Sequence, residues 1–145
     1  MTGLALLAFS VWQCRVLPNA WQHAPFDSFG WVALAIWIVP AVARDFGRRV
    51  DDTLLLVAAG CSLAGAAADL NVLNYASLAA ALAALTPPER RTAPWMVGAL
   101  AWMPVFGWLG SSLGPRWIVV ARIGIATAAA SSAWLRVGDR RRATP

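Results

Sequence analysis

The chain has 145 residues, of which 59% are hydrophobic and only 13% charged, with a formal net charge of +5 and a mean hydropathy of +0.59. A water-facing domain carries about 25% charged residues, so this composition argues against an ordinary soluble surface. All twelve basic residues are arginine and sit mostly in short links between apolar runs, where they act as topology signals before they act as a nucleic-acid patch; no nucleic-acid partner is expected.

Six apolar segments follow one another. The first, about Leu4 to Leu17, is interrupted by Gln13, Cys14 and Arg15, and "PNAWQHAPFDS" follows it. The second runs from Phe29 to Ala43, with Pro40 placed to bend its last turn. "RDFGRRVDD" leads to a third, Thr53 to Ala68, and "DLN" to a fourth, Val72 to Leu85, closed by "TPPERRTAP". The fifth runs from Trp95 to Leu113 and the sixth from Trp117 to Leu135. Several fall below the roughly 20 residues that cross a hydrocarbon core, so the helices are expected to extend into their polar flanks. The fold expected is all-α, a multi-pass membrane bundle of about six transmembrane helices forming one domain over residues 1–145, with a basic cytoplasmic tail over 136–145.

With six crossings, Arg44, Arg48, Arg49, Arg90, Arg91, Arg136, Arg140, Arg141 and Arg142 fall on one side, leaving only Arg15 and Arg116 opposite. Positive loops stay cytoplasmic, which predicts N-in/C-in topology in a bacterial cytoplasmic membrane. No positive charge precedes Leu4, which argues against a signal-peptide reading of the first segment.

Arg122 is the first candidate site residue. It lies six residues beyond Arg116, about 9 Å of helix rise. It is expected either to snorkel to the external interface or to pair structurally; the functional reading has it facing the interior beside Asp69 or an anionic group. Asp69, Asn71 and Asn74 cluster at the turn between segments three and four, where helix capping explains them and a polar site facing segment six is the alternative. Small residues at four-residue spacing, Gly60, Ala64 and Ala68, then Ala76, Ala80 and Ala84, predict a tight hairpin of these two segments. Trp21, Trp31, Trp95, Trp117 and Trp134 lie near helix ends and read as an interfacial belt. Trp102 and Trp108 lie deeper, against a partner helix, pigment or lipid tail. Cys14 and Cys61 have no disulfide or metal spacing and read as small hydrophobes. His23 with Asp27 four residues on is an ordinary loop hydrogen bond first and an acid–base or metal pair second.

"RVLPNAWQHAPFDSFGWVALAIWIV" resembles the opening of exosortase/archaeosortase membrane proteins, in which an early helix leads through a Trp- and Pro-containing external loop to a Gly-started second helix. "WMPVFGWLGSSLGP" is similar to the Met-Pro segment that precedes that family's catalytic half. Family members continue into a catalytic Cys followed by Arg and a further Arg or His, and this sequence does not. Cys61-Ser62 comes before the Met-Pro segment and lacks the following Gly, so no catalytic role is carried onto it. The resemblance covers the non-catalytic half.

Three function classes follow. A non-catalytic membrane protein acting as a small accessory or structural subunit of a larger membrane complex comes first, with membrane lipid and other membrane-protein subunits as partners. An exosortase-like sorting component lacking its catalytic half is second, and a small transporter or channel third. No catalytic or metal-binding residues and no cofactor are expected, apart from a bound lipid or pigment.

Overall fold

The structure is a computed structural model that describes residues 2–42, 46–109, 112 and 114–142, with the side chains of 107–109 and 136–142 left out of account. Its elements are α-helices α1 (Thr2–Gln13), α2 (Leu17–His23), α3 (Gly30–Ile38), α4 (Asp52–Ala68), α5 (Asn71–Leu85), α6 (Ala93–Val97), α7 (Pro104–Leu109) and α8 (Pro115–Arg142), with 3₁₀ turns at Pro88–Arg90 and Gly98–Ala101. The all-α class holds.

A six-span bundle is not supported. The first apolar segment splits at residues 14–16 into α1 and α2, and the second holds a nine-residue helix that stops short of Pro40. The fifth breaks into α6, a 3₁₀ turn and α7, which begins at Pro104. Helices α4 and α5 have 17 and 15 residues, about 25 and 23 Å at 1.5 Å per residue, against a hydrocarbon core of about 30 Å. Among the described residues one helix, over Pro115–Leu135, is long and apolar enough to cross a membrane. The multi-pass class and the N-in/C-in scheme fall with the crossings that generated them. Of the arginines in that scheme, Arg44 and the side chains of Arg136, Arg140, Arg141 and Arg142 lie outside the described residues, although the backbone of α8 continues to Arg142.

Helices α4 and α5 do form a close hairpin, and α1 lies across both. Its register differs from the one expected. The buried stripe of α4 is Ala58, Ser62 and Gly65, while Gly60 faces open space and Ala64 and Ala68 are exposed. Hydrogen bonding selects this face. Ser77 Oγ donates to the Ala58 carbonyl at 2.8 Å and shares a 2.9 Å hydrogen bond with Ser10 Oγ. Ser62 Oγ donates to Gln13 Oε1, and Cys14 Sγ donates to the Asn74 carbonyl at 3.3 Å. Turning α4 to its Gly60 face would break the Ser77–Ala58 and Ser62–Gln13 bonds, at roughly 1–3 kcal/mol for each buried group left unpaired.

Helix α8 packs chiefly on α3, α6 and the Gly98–Ala101 turn. Its small face, Ala126, Ala129 and Ala133, is buried, and at Gly98 an added Cβ would stand 2.3 Å from the Ala129 methyl. That position therefore requires glycine. Two tryptophans lock this side. The Trp37 and Trp95 rings stack at 4.6 Å and 4°; Trp37 Nε1 donates to the Trp95 carbonyl at 2.6 Å and Trp95 Nε1 returns a bond to the Trp37 carbonyl at 3.0 Å. Each indole thus buries its surface and satisfies its only donor. Trp95 has no exposure, so it leaves the expected interfacial belt, while Trp31, Trp117 and Trp134 remain on the surface.

Asp51 closes the N-terminus of α4 by accepting the Leu54 N–H at 3.2 Å, and Arg91 bonds to its carboxylate while donating from Nε to the Thr86 carbonyl at 2.7 Å. That backbone bond, with Arg91 beside it, holds the Asp51 carboxyl below the ordinary aspartate range. A carboxyl with a depressed folded pKa stabilises the fold above its unfolded value of about 3.9 and loses that contribution as pH falls through the folded value. Asp51→Ala is expected to cost about 1 kcal/mol at neutral pH, read as a lower thermal midpoint. The gap to the unaltered protein should close below about pH 4.

Candidate functional site

Arg122 is the largest charged side chain with no exposed surface. It neither snorkels nor meets Asp69. Its Nη2 donates to Asp27 Oδ1 at 2.8 Å and to the Phe26 carbonyl at 3.3 Å, and its guanidinium carbon lies 5.5 Å from the centre of the Phe106 ring. Four parts of the chain build this pocket: α8 supplies Arg122, the turn between α2 and α3 supplies Asp27, α7 supplies Phe106, and α2 supplies Trp21.

The turn that carries Asp27 is shaped by its exit. Phe29, the residue before α3, sits at φ 64°, in the left-handed region that non-glycine residues rarely adopt. It delivers Gly30 against the guanidinium. A Cβ at position 30 would stand 2.2 Å from Trp21 Nε1 and 2.8 Å from Arg122 Nη1, so only glycine lets α3 begin there. Trp21 in turn donates from Nε1 to the Trp102 carbonyl at 3.1 Å. The ion pair is thereby tied to Trp102, whose ring centre lies 6.0 Å from that of Trp37.

The Asp27 side chain is 13% exposed. Burial pushes its carboxyl above the ordinary range, opposed by the charge and hydrogen bond of Arg122. Arg122 Nε and Nη1 and Trp102 Nε1 are buried without a hydrogen-bond partner among the described residues. The arrangement is a neutralised, nearly dehydrated charge pair with spare donors. Its geometry braces α8 against the turn between α2 and α3.

The other expected site residues do not join it. Asp69 is exposed and terminates α4 in the left-handed conformation at φ 52°, its N–H bonding to the Gly65 carbonyl. Asn71 is exposed at the first position of α5. Asn74 is buried beside Gly65 with Oδ1 unpartnered, so none of the three caps a helix through its side chain. Trp102 is fully buried in the core, while the Trp108 side chain lies outside the described residues. His23 bonds to the Asn19 carbonyl at 3.1 Å instead of to Asp27, whose carboxylate faces Arg122. Burial pushes the Cys14 thiol up to about 12, and Cys61 lies half-buried in α4. Among the described residues no group of three or more His, Cys, Asp or Glu could hold a metal ion. Asp27 was legible in the sequence only as a partner for His23, because 95 residues separate it from Arg122.

Removing one member of a buried ion pair leaves the other charge uncompensated, at about 3–5 kcal/mol, whereas replacing both with apolar groups is often neutral. Asp27→Asn and Arg122→Ala are each expected to lower the thermal midpoint strongly, and Asp27→Leu combined with Arg122→Met to recover most of the loss. Thermal unfolding followed by circular dichroism checks this; a double variant as weak as the sum of the singles contradicts the strut reading. No family model, curated protein or solved structure matches the chain.

Proposed function

We propose that this protein is a non-catalytic accessory subunit, held at a membrane by α8 and working by association with a larger membrane-protein assembly, in a bacterial cytoplasmic membrane. The carrying observation is the outward face of α8. Only 33% of its apolar stretch is buried, whereas the core helix of a water-soluble protein is mostly buried. Trp117, Val120 and Leu135 are 69%, 60% and 70% exposed. Leu4 and Trp12 on α1 and Leu56 and Leu63 on α4 add further bare apolar surface, more than scattered single residues on a monomer account for. The buried polar groups support the same reading, since Arg122 and Asp27 brace helices against one another.

One small face of α8 is consumed inside the chain at Ala126, Ala129 and Ala133. Association therefore falls to the opposite face, where Trp117, Val120 and Leu135 flank the exposed small residues Gly124, Thr127, Ala128 and Ser131. Val120→Glu with Leu135→Glu is expected to release the protein from a carbonate-washed membrane fraction and to abolish co-purification of any partner subunit, with helix content unchanged. An unaltered protein that purifies from mild detergent as a lone monomer contradicts the accessory reading.

A further inference from the structure

Helix α1 turns one face into the fold and leaves the other bare. Gly3 and Ser10 are buried, with the Leu85 and Val50 side chains beside Gly3 and the Ser77 hydroxyl on Ser10. On the far side Leu4, Val11 and Trp12 are 59%, 54% and 57% exposed. Leu4, Ala8 and Val11 share one line of the helical surface, and Phe9 and Trp12 flank it. Phe9 stacks on Trp12 at 5.7 Å, and the Arg15 guanidinium carbon lies 4.9 Å from the centre of the Trp12 ring. No carboxylate pairs with Arg15 among the described residues. The outward face is therefore apolar from Leu4 to Trp12 and cationic only past its last turn.

The same pair of groups recurs where α8 begins, with Arg116 and Trp117 both exposed. The two pairs lie at one end of the molecule. Helix α1 runs on into α2, whose Trp21 abuts Gly30 beside the Arg122 guanidinium, about 9 Å along α8 from Arg116. The opposite ends also lie together: Gly3 meets Leu85, and Thr92, which follows α5, shares a 2.7 Å hydrogen bond with Ser132 in the second half of α8. The 12 residues of α1 rise about 18 Å, against about 15 Å for half of a hydrocarbon core, so the bare face has the depth of one leaflet. We infer that the outward face of α1 lies against the acyl chains of a single leaflet, with Trp12 and Arg15 at the level of the lipid phosphates. Tryptophan at that level keeps its ring on the acyl boundary, and arginine donates to phosphate oxygens while its stem lies on apolar surface. This rests on the reading of α8 as held in a membrane and goes beyond it, since it gives α1 to lipid instead of to a partner subunit.

The full chain, with Cys14→Ser and Cys61→Ala, is placed in vesicles of phosphatidylethanolamine and phosphatidylglycerol, and a nitroxide is attached in turn through Leu4→Cys, Ala8→Cys, Val11→Cys and Val120→Cys. Oxygen is expected to reach all four labels in preference to a water-soluble nickel chelate, with the preference falling from position 4 through 8 to 11 as the label nears the phosphates. Phosphatidylglycerol carrying a diazirine in its acyl chain should label the unaltered protein on α1 between Leu4 and Trp12 as well as on α8, which tests the face without any variant. With the diazirine moved to the headgroup, label is expected around Trp12 and Arg15, and Arg15→Gln to weaken it about fivefold. Nickel access at positions 4, 8 and 11 with oxygen access at 120 overturns the inference and leaves α8 in the membrane. Exclusion of both reagents from α1 assigns that face to protein and overturns it as well. Nickel access at all four positions overturns the membrane reading of α8 itself.

Discussion

A guanidinium with no exposed surface must find its counterion inside the fold, and Arg122 finds it 95 residues away in Asp27. This requirement orders much of what surrounds it. The turn between α2 and α3 must present a carboxylate inward, Phe29 must accept a left-handed backbone to deliver it, and position 30 must be glycine. Because α8 carries the charge and α3 follows the turn, the pairing sets the distance between these helices. A buried pair of this kind adds little net stability over an apolar replacement, but breaking it is costly. Its contribution is to make one helix arrangement far better than its neighbours.

The remaining packing solves a problem set by composition. Helices rich in alanine have little side-chain volume with which to interlock, so close approach and polar contacts have to select the register. On the α4–α5 side, Ser10, Gln13, Ser62 and Ser77 do so. On the α8 side, the stacked Trp37–Trp95 pair and the contact of Gly98 with Ala129 do so. The two devices meet through Trp37, which belongs to the same core cluster as Cys14, Leu78 and Leu82. Trp37 also lines an apolar groove along α5.

Apolar surface is distributed by the same logic. Ala126, Ala129 and Ala133 of α8 face inward, leaving Trp117, Val120 and Leu135 outward together with Gly124, Thr127, Ala128 and Ser131. In water this would be a liability, since exposed apolar patches of this kind mark interaction or aggregation sites. Against lipid or another apolar helix it is compatible. Association through bulky apolar faces is weakly selective, because lipid competes for them.

The sequence by itself determined the helical class, the apolar character of every long segment, the α4–α5 hairpin and the importance of Arg122. Those properties follow from composition, from turn residues such as Asp69, and from the cost of burying a charge. Only the tertiary structure decided how the segments were cut. Apolar length in the sequence counts residues across Gln13–Arg15, Pro40 and Pro104, where the regular α-helices stop or start, and α4 and α5 are themselves short, so six apparent spans reduce to one helix of spanning length among the described residues. It also chose Asp27 over Asp69 for Arg122, the Ser62 face of α4 over the Gly60 face, and burial of Trp95 over an interfacial place. Each choice turned on a pairing of polar groups 40 or more residues apart. Helical periodicity carries which residues share a face, but not which face meets which partner.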